Sequence, residues 1–230
     1  YTLLIRLVGP MQSWAHRSRF DDRDTALEPT PSGVIGLLWA ALGILRDADL
    51  SRFHDLRMGV RVDAPGRVMV DYHTAKEVVR ADGSGLEKTV TSHRYYLSDA
   101  RFLVGLESAE LEFLRKIEAA LRNPVWPLYL GRKSFCLTMP VWLPEGSIRE
   151  GVGLEDALAE FPWYRLTGWE RKPDRLRLVT ERPDGEGPIA LLDRPVSFVE
   201  RRFAQRRVQT DSAIGDRVPD VGLLPCISPA

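Results

Sequence analysis

VMVDYHTAKEVVRADGSGLEKTVTSHRYYLSDARFLVGL, Val68 to Leu106, reads as a long strand, a turn and a long strand that returns. Ala81–Gly85, with an Asp and two Gly, supplies the tight turn. On the return limb Val90, Tyr95, Leu97, Phe102 and Val104 carry the apolar signal. The outer half, Thr74 to Arg94, is too polar for a buried strand pair and reads as an arm projecting from the body.

The elements around this hairpin set the fold class. Upstream, MGVRVDAPG alternates Val60 and Val62 and ends in a Pro-Gly turn, a strand signal. Before it, TPSGVIGLLWAALGI opens a helix at Thr30–Gly33: Pro31 fits the first turn, Thr30 or Ser32 can cap, and Val34, Leu37, Leu38, Ala41, Leu42 and Leu45 recur at helical spacing. Residues 3–8 form a first strand, with Leu3, Ile5 and Leu7 on one face and Leu4, Arg6 and Val8 on the other. Arg6 is the odd member, and on a half-covered sheet its face is either solvent or a ligand platform. Downstream, SAELEFLRKIEAALRNP is an amphipathic helix with Leu111, Leu114, Ile117 and Leu121 inward, capped by Ser108 and stopped at Asn123-Pro124. A last strand is expected over Met139–Leu143. The order strand, helix, two strands, helix, strand is the βαββαβ pattern of an α+β, ferredoxin-like domain.

After Pro144 the texture changes. GLEDALAEF reads as a short helix, RLRLVTE and GPIALL as strands around Asp184-Gly185, and VSFVERRFAQRRVQT as the last ordered stretch. These features divide the chain into a ferredoxin-like domain over residues 1–145, with a hairpin arm at about 71–97, a small β-rich unit over 146–208 and a loosely held tail over 209–230. No repeat of fixed period is present.

At 230 residues and 44% apolar composition the chain can close a sizeable core. No segment has the apolar length of a membrane helix, and YTLLIRLVG lacks a signal-peptide pattern, so a cytoplasmic protein without a membrane role is expected. Cys136 and Cys226 fit no metal spacing and read as free thiols. The formal net charge is zero, but basic residues cluster at Arg17–Arg23, Lys88–Arg94, Arg132-Lys133, Arg165–Arg182 and Arg201–Arg207. A neutral chain of this kind can still carry a basic face.

Catalytic signatures are sparse. His16, His54, His73 and His93 show no helical metal spacing, and no metal or other cofactor is expected. Phosphate-loop, dinucleotide and nucleophile-elbow motifs are missing from the sequence. What remains suits nucleic acid. Thr30, Ser32 and Gly33 place free N–H groups beside hydroxyls at a helix start, which fits a phosphate or, equally, a plain cap. Tyr129, Gly131, Arg132 and Lys133 combine a ring, a permissive backbone and two cations. Tyr72, His73, Lys76, Lys88, His93 and Arg94 interleave rings and cations along the hairpin, as single-stranded RNA would require.

Taken in order, LVGPMQSW, TPSGVIGLLWAALGI, VDYHT, RYYLSDARFLV and YLGRKSF resemble the CasD family, the fifth-named Cas subunit of the type I-E CRISPR complex Cascade. The match runs over about residues 3–143 and, past 150, mainly over RPVSFVERRFAQRRV. The resemblance implies a RAMP-type, RRM-related palm with a thumb, binding the 5′ handle of the CRISPR guide RNA. It further implies assembly with the Cascade backbone subunits and the large PAM-reading subunit, and only indirect contact with target DNA. In that frame Gln12, Ser13 and Trp14 flank the start of the first helix and line a pocket for the handle, with Trp14 as a stacking wall or as core packing. Arg6 belongs to the same candidate set. The resemblance implies a non-catalytic binding subunit. The alternative is a metal-independent endoribonuclease that draws a general base and acid from His73, His93, Tyr72, Tyr95 and Lys88.

Overall fold

The structure, a computed structural model, describes residues 1–15, 21–80, 82–182, 185–211 and 214–223. His16, Arg17, Ala81, Asp184 and Cys226 therefore lie outside the described residues.

The first strand, β1 (Thr2–Val8), is buried along its whole length. Its chain continues through the short β2 (Met11–Gln12) and β3 (Asp22–Arg23) to helix α1 (Pro31–Leu42). Thr30 caps α1 by accepting from the Gly33 N–H at 3.3 Å, and Gly43, in the left-handed region at φ 69°, closes it. A single turn, α2 (Ser51–His54), leads into β4 (Arg57–Ala64), the hairpin strands β5 (Arg67–Val79) and β6 (Leu86–Ser98), β7 (Arg101–Glu107) and helix α3 (Leu111–Arg122). The expected Ser108 cap does not form: Glu110 is the N-cap of α3, and Ser108, three residues before the helix, accepts instead from the Glu110 N–H at 3.1 Å.

Both neighbours of β7 run antiparallel to it: Val104 pairs with Ile5 of β1 and with Val60 of β4. Residues 139–143 lie along the other edge of β1, where the Val141 and Ser147 carbonyls accept from the Arg6 and Leu4 N–H groups. The expected strand Met139–Leu143 does not form a continuous ladder. Pro140 and Pro144 remove donors on either side, and regular pairing is limited to β8 (Ile148–Arg149).

The rest of the chain extends the same sheet. Helix α4 (Leu154–Glu160) and β9 (Trp163–Arg165) precede β10 (Arg177–Glu181), which pairs with β4, followed by β11 (Ile189–Ser197) and β12 (Arg202–Asp211). The sheet order is β11-β12-β10-β4-β7-β1-β8. The tail is not loose throughout. Strand β13 (Asp220–Leu223) pairs in parallel with β9, and the Pro219 carbonyl accepts from Trp163 N–H at 2.8 Å.

One core lies between the sheet and α1, α2 and α3, with Leu3, Ile5 and Leu7 facing Val34, Leu38, Phe113, Leu114 and Ile117. A second covers the opposite face, where Leu4 and Leu103 meet Leu154, Leu158, Phe161 and Trp163. Fully buried Arg61 fastens this second layer: it donates to the Leu158 and Phe161 carbonyls at the end of α4 and binds Asp63 at 2.7 Å. The half-covered sheet expected around Arg6 is thus covered on both sides. The hairpin β5–β6 leaves the body, in register from Arg67–Ser98 to Val79–Leu86 and with both limbs largely exposed.

Candidate nucleic-acid interface

The end of β1 positions one wall of a groove. Gln12 is fully buried; its Nε2 donates to the Ala100 carbonyl at 2.6 Å and the Leu7 carbonyl at 3.3 Å, and its Oε1 accepts from Trp14 Nε1 at 3.2 Å. All of its side-chain polar atoms are engaged inside the protein, so Gln12 holds Trp14 rather than facing the groove. Trp14, 1% exposed, lies flat against the start of α1: a Cβ on Gly33 would come within 2.7 Å of its ring. Ser13 is sewn in from both sides, its N–H donating to the Leu130 carbonyl at 3.1 Å and its hydroxyl to the Tyr95 carbonyl at 3.3 Å.

That packing dictates Gly131. Its φ is +88°, and a Cβ there would lie 1.7 Å from the Ser13 carbonyl oxygen. The close approach brings Arg132 across to Tyr95 and Arg23, whose carbonyls accept from its Nη2 at 2.9 and 3.2 Å. Burial lowers the Arg132 pKa below the ordinary arginine value, and the neighbouring charges of Arg94 and Arg23 lower it further against the opposing pull of Asp71 and Asp24.

The resulting groove has a volume of about 670 Å³ and is lined by Thr30, Ser32 and Gly33 at the start of α1 and by Arg46 from the segment after it. Arg23, Arg46, Arg94, Arg132 and Arg201 all line it, no carboxylate does, and among the described residues none of the five forms an ion pair. A cleft with low-dielectric walls and five unpaired guanidinium groups is a site for a polyanion. Among the described residues no group of His, Cys, Asp or Glu has the makings of a metal centre.

Of the residues singled out from sequence, Ser13, Trp14, Thr30, Ser32, Gly33, Arg94, Gly131 and Arg132 meet in this groove. Tyr129 is half-buried and Lys133 exposed beside it. Tyr72, His73, Lys76, Lys88 and His93 sit on the hairpin outside it. His73 and His93 do not face each other. His93 pairs with Tyr72 (ring centroids 5.2 Å apart) and His73 with Ser92, so the period of two turns the two imidazoles to opposite faces. Arg6 lies outside the groove as well, 8% exposed beneath the second layer, with Nε donating to the Pro140 carbonyl at 2.9 Å and Nη2 unpartnered. Burial lowers its pKa.

Sequence reasoning missed Arg46, Arg201, Phe198 and Phe203. The last three arrive from the β11–β12 turn, docked by Phe198 edge-on against Trp39 of α1 at 5.0 Å. The basic run Arg201–Arg207 was visible in the sequence, but its place in the groove was not.

The comparisons agree with this architecture. The family profile described as "CRISPR-associated protein (Cas_Cas5)" matches residues 2–209. The chain belongs to this family. It is 39% identical over 157 residues to the CRISPR system Cascade subunit CasD of Escherichia coli (strain K12), covering 61% of this chain and 69% of that one. A solved structure titled "Crystal structure of Cas protein" is 46% identical, with a TM-score of 0.78 and 96% of this chain and 98% of the other covered. A chain of a "CRISPR RNA-guided surveillance complex" is 32% identical, also with a TM-score of 0.78, over 93% of this chain and 90% of that one. The family expected from the motifs is the family found, and the mixed α+β fold is shared with solved Cas proteins.

Proposed function

We propose that this protein is the CasD-type subunit of a type I-E Cascade in antiviral defence, binding the CRISPR guide RNA and holding its 5′ handle in the arginine groove without cutting it. The observation that carries this reading is the set of five unpaired arginines converging with the start of α1 in one groove. Phosphates meet the guanidinium groups, beside a helix start whose Gly33 N–H is already taken by Thr30, and the family relationship supplies the RNA.

The same reading takes the body as a ferredoxin-like, RAMP-type palm over residues 1–145, with strand order β4-β7-β1 and residues 139–149 beside β1 in the place of the fourth strand. Residues 71–97 are its thumb, 146–208 the C-terminal unit and 209–230 the tail. The exposed thumb suits insertion between the guide and a backbone subunit, the large PAM-reading subunit packs nearby, and target DNA is met only through the complex. We place the protein in the cytoplasm; no helix among the described residues is long and apolar enough to cross a membrane.

Absence of cleavage is supported by the family relationship. The hairpin register turns His73 and His93 to opposite faces and so removes that pair as base and acid, whereas Tyr72 shares the face of His93 with ring centroids 5.2 Å apart, which makes His93 the residue on which the alternative depends. Incubating the purified chain with RNA of its CRISPR repeat in EDTA tests the whole reading on two gels. A mobility shift with intact RNA is expected. Cleavage that disappears in His73→Ala or His93→Ala would replace the binding subunit with a processing enzyme.

A further inference from the structure

The groove needs a surface for bases as well as for phosphates, and the ring first assigned that task does not supply it. Trp14 is 1% exposed, pressed on α1 and tied to Gln12. Phe203 differs: it is 38% exposed, lies on the groove wall among the arginines, and stands at the head of β12 paired with Pro195. The turn that precedes it is fixed by two contacts. Phe198 packs edge-on against Trp39, and the Ser197 hydroxyl accepts from the Glu200 N–H at 3.1 Å. Next in the chain, Arg201 takes the left-handed conformation at φ 51° and also lines the groove. A half-exposed ring near a guanidinium that forms no ion pair is the combination on which single-stranded bases stack.

We propose that Phe203 forms a base-stacking subsite at the C-terminal wall of the groove, taking one unstacked nucleobase of single-stranded RNA on its ring while Arg201 meets the adjoining phosphate. The proposal rests on the guide-binding reading above and adds the class of contact and its residue. It gives the β11–β12 turn a direct part in recognition, although that turn lies more than 150 residues from the loop that forms the opposite wall.

The test uses the full chain and repeat RNA carrying 2-aminopurine at one position at a time. Wild-type protein should quench the probe at one position. Phe203→Leu, which keeps apolar volume without a π face, should lose that quenching and bind roughly 5- to 100-fold more weakly, whereas Phe203→Trp should keep both. An abasic nucleotide at the quenched position should weaken wild-type binding by a similar factor and add little to Phe203→Leu, which keeps the result readable even if the variant folds poorly. Unchanged affinity and quenching in Phe203→Leu, or an abasic effect that adds fully to it, would overturn the stacking subsite while leaving guide binding in place. Failure of the wild-type chain to shift any repeat RNA would instead sink the guide-binding reading and the subsite with it.

Discussion

The groove and the hairpin arm use the same residue types and organise them in opposite ways. In the groove, five arginines from five separate segments converge on a site of about 670 Å³ that no carboxylate among the described residues lines, with Asp71 and Asp24 acting on Arg132 from outside it. Along the hairpin, the cations are strung out over two 13-residue strands and partly neutralised: Arg80 meets Glu87 at 2.7 Å, and Lys76 and Lys88 are exposed. Convergence in a sheltered cleft strengthens an anion contact, whereas a solvated lysine on an arm contributes little by itself. What distinguishes the two is enclosure and number, not composition.

The largest effect should come from removing convergence. Arg46→Ala with Arg94→Ala deletes two groove charges that bear no ion pair, and is expected to weaken repeat-RNA binding by about 3 kcal/mol, roughly a hundredfold. The slope of log affinity against log salt should become shallower by about 1.4, the loss of two single-strand phosphate contacts. Titration by fluorescence anisotropy at several salt concentrations checks both. Arg94→Ala loses the bond from Nε to the Ser92 hydroxyl but also the repulsion with Arg132, so the stability of the free chain should change by no more than about 1 kcal/mol, and an unchanged salt slope would break the comparison at its root.

Next in size is the geometry that creates the enclosure. Gly131→Ala forces a Cβ against the Ser13 carbonyl at a positive φ, and should cost about 2–3 kcal/mol of stability in urea unfolding. Smaller is Gln12→Leu, which leaves Trp14 Nε1 and the Ala100 carbonyl unpaired inside the body. A loss of about 1–2 kcal/mol is expected, with RNA affinity at low temperature nearly unchanged, since Gln12 supports the wall without facing the ligand.

Gln12 also marks the limit of what the sequence could disclose. The hairpin, α1, α3 and the Thr30 cap were legible because strand alternation, helical spacing and turn residues are local signals. The groove wall at Ser13, Gly33, Gly131 and Arg132 was legible because those residues sit where elements end, although only the fold could bring 13 beside 131. A polar side chain in a loop, however, looks the same whether it waits for a ligand or satisfies a buried tryptophan, and Gln12 does the latter. Arg6 was misread for a related reason: the layer that buries it, α4 and the segment before it, lies some 150 residues downstream. Arg46, Arg201 and Phe203 carry no local spacing at all. The place of Arg201 and Phe203 depends on Phe198 docking against Trp39, a contact that no stretch of sequence announces.

The smallest expected effect sharpens the comparison most. Lys76→Ala with Lys88→Ala removes the same formal charge as the double arginine variant, yet both lysines are exposed and neither is enclosed by other cations. Binding of repeat RNA to the isolated chain should fall by less than about threefold, under ~0.7 kcal/mol. In a reconstituted complex, where a neighbour would close over the arm and exclude water, the same two charges become partly desolvated and their removal should slow RNA-dependent assembly more than it weakens RNA binding by the free chain. A drop in the free chain equal to that of the groove variant would mean that the arm already holds RNA unaided, and the distinction between an enclosed site and a solvated rib would fall.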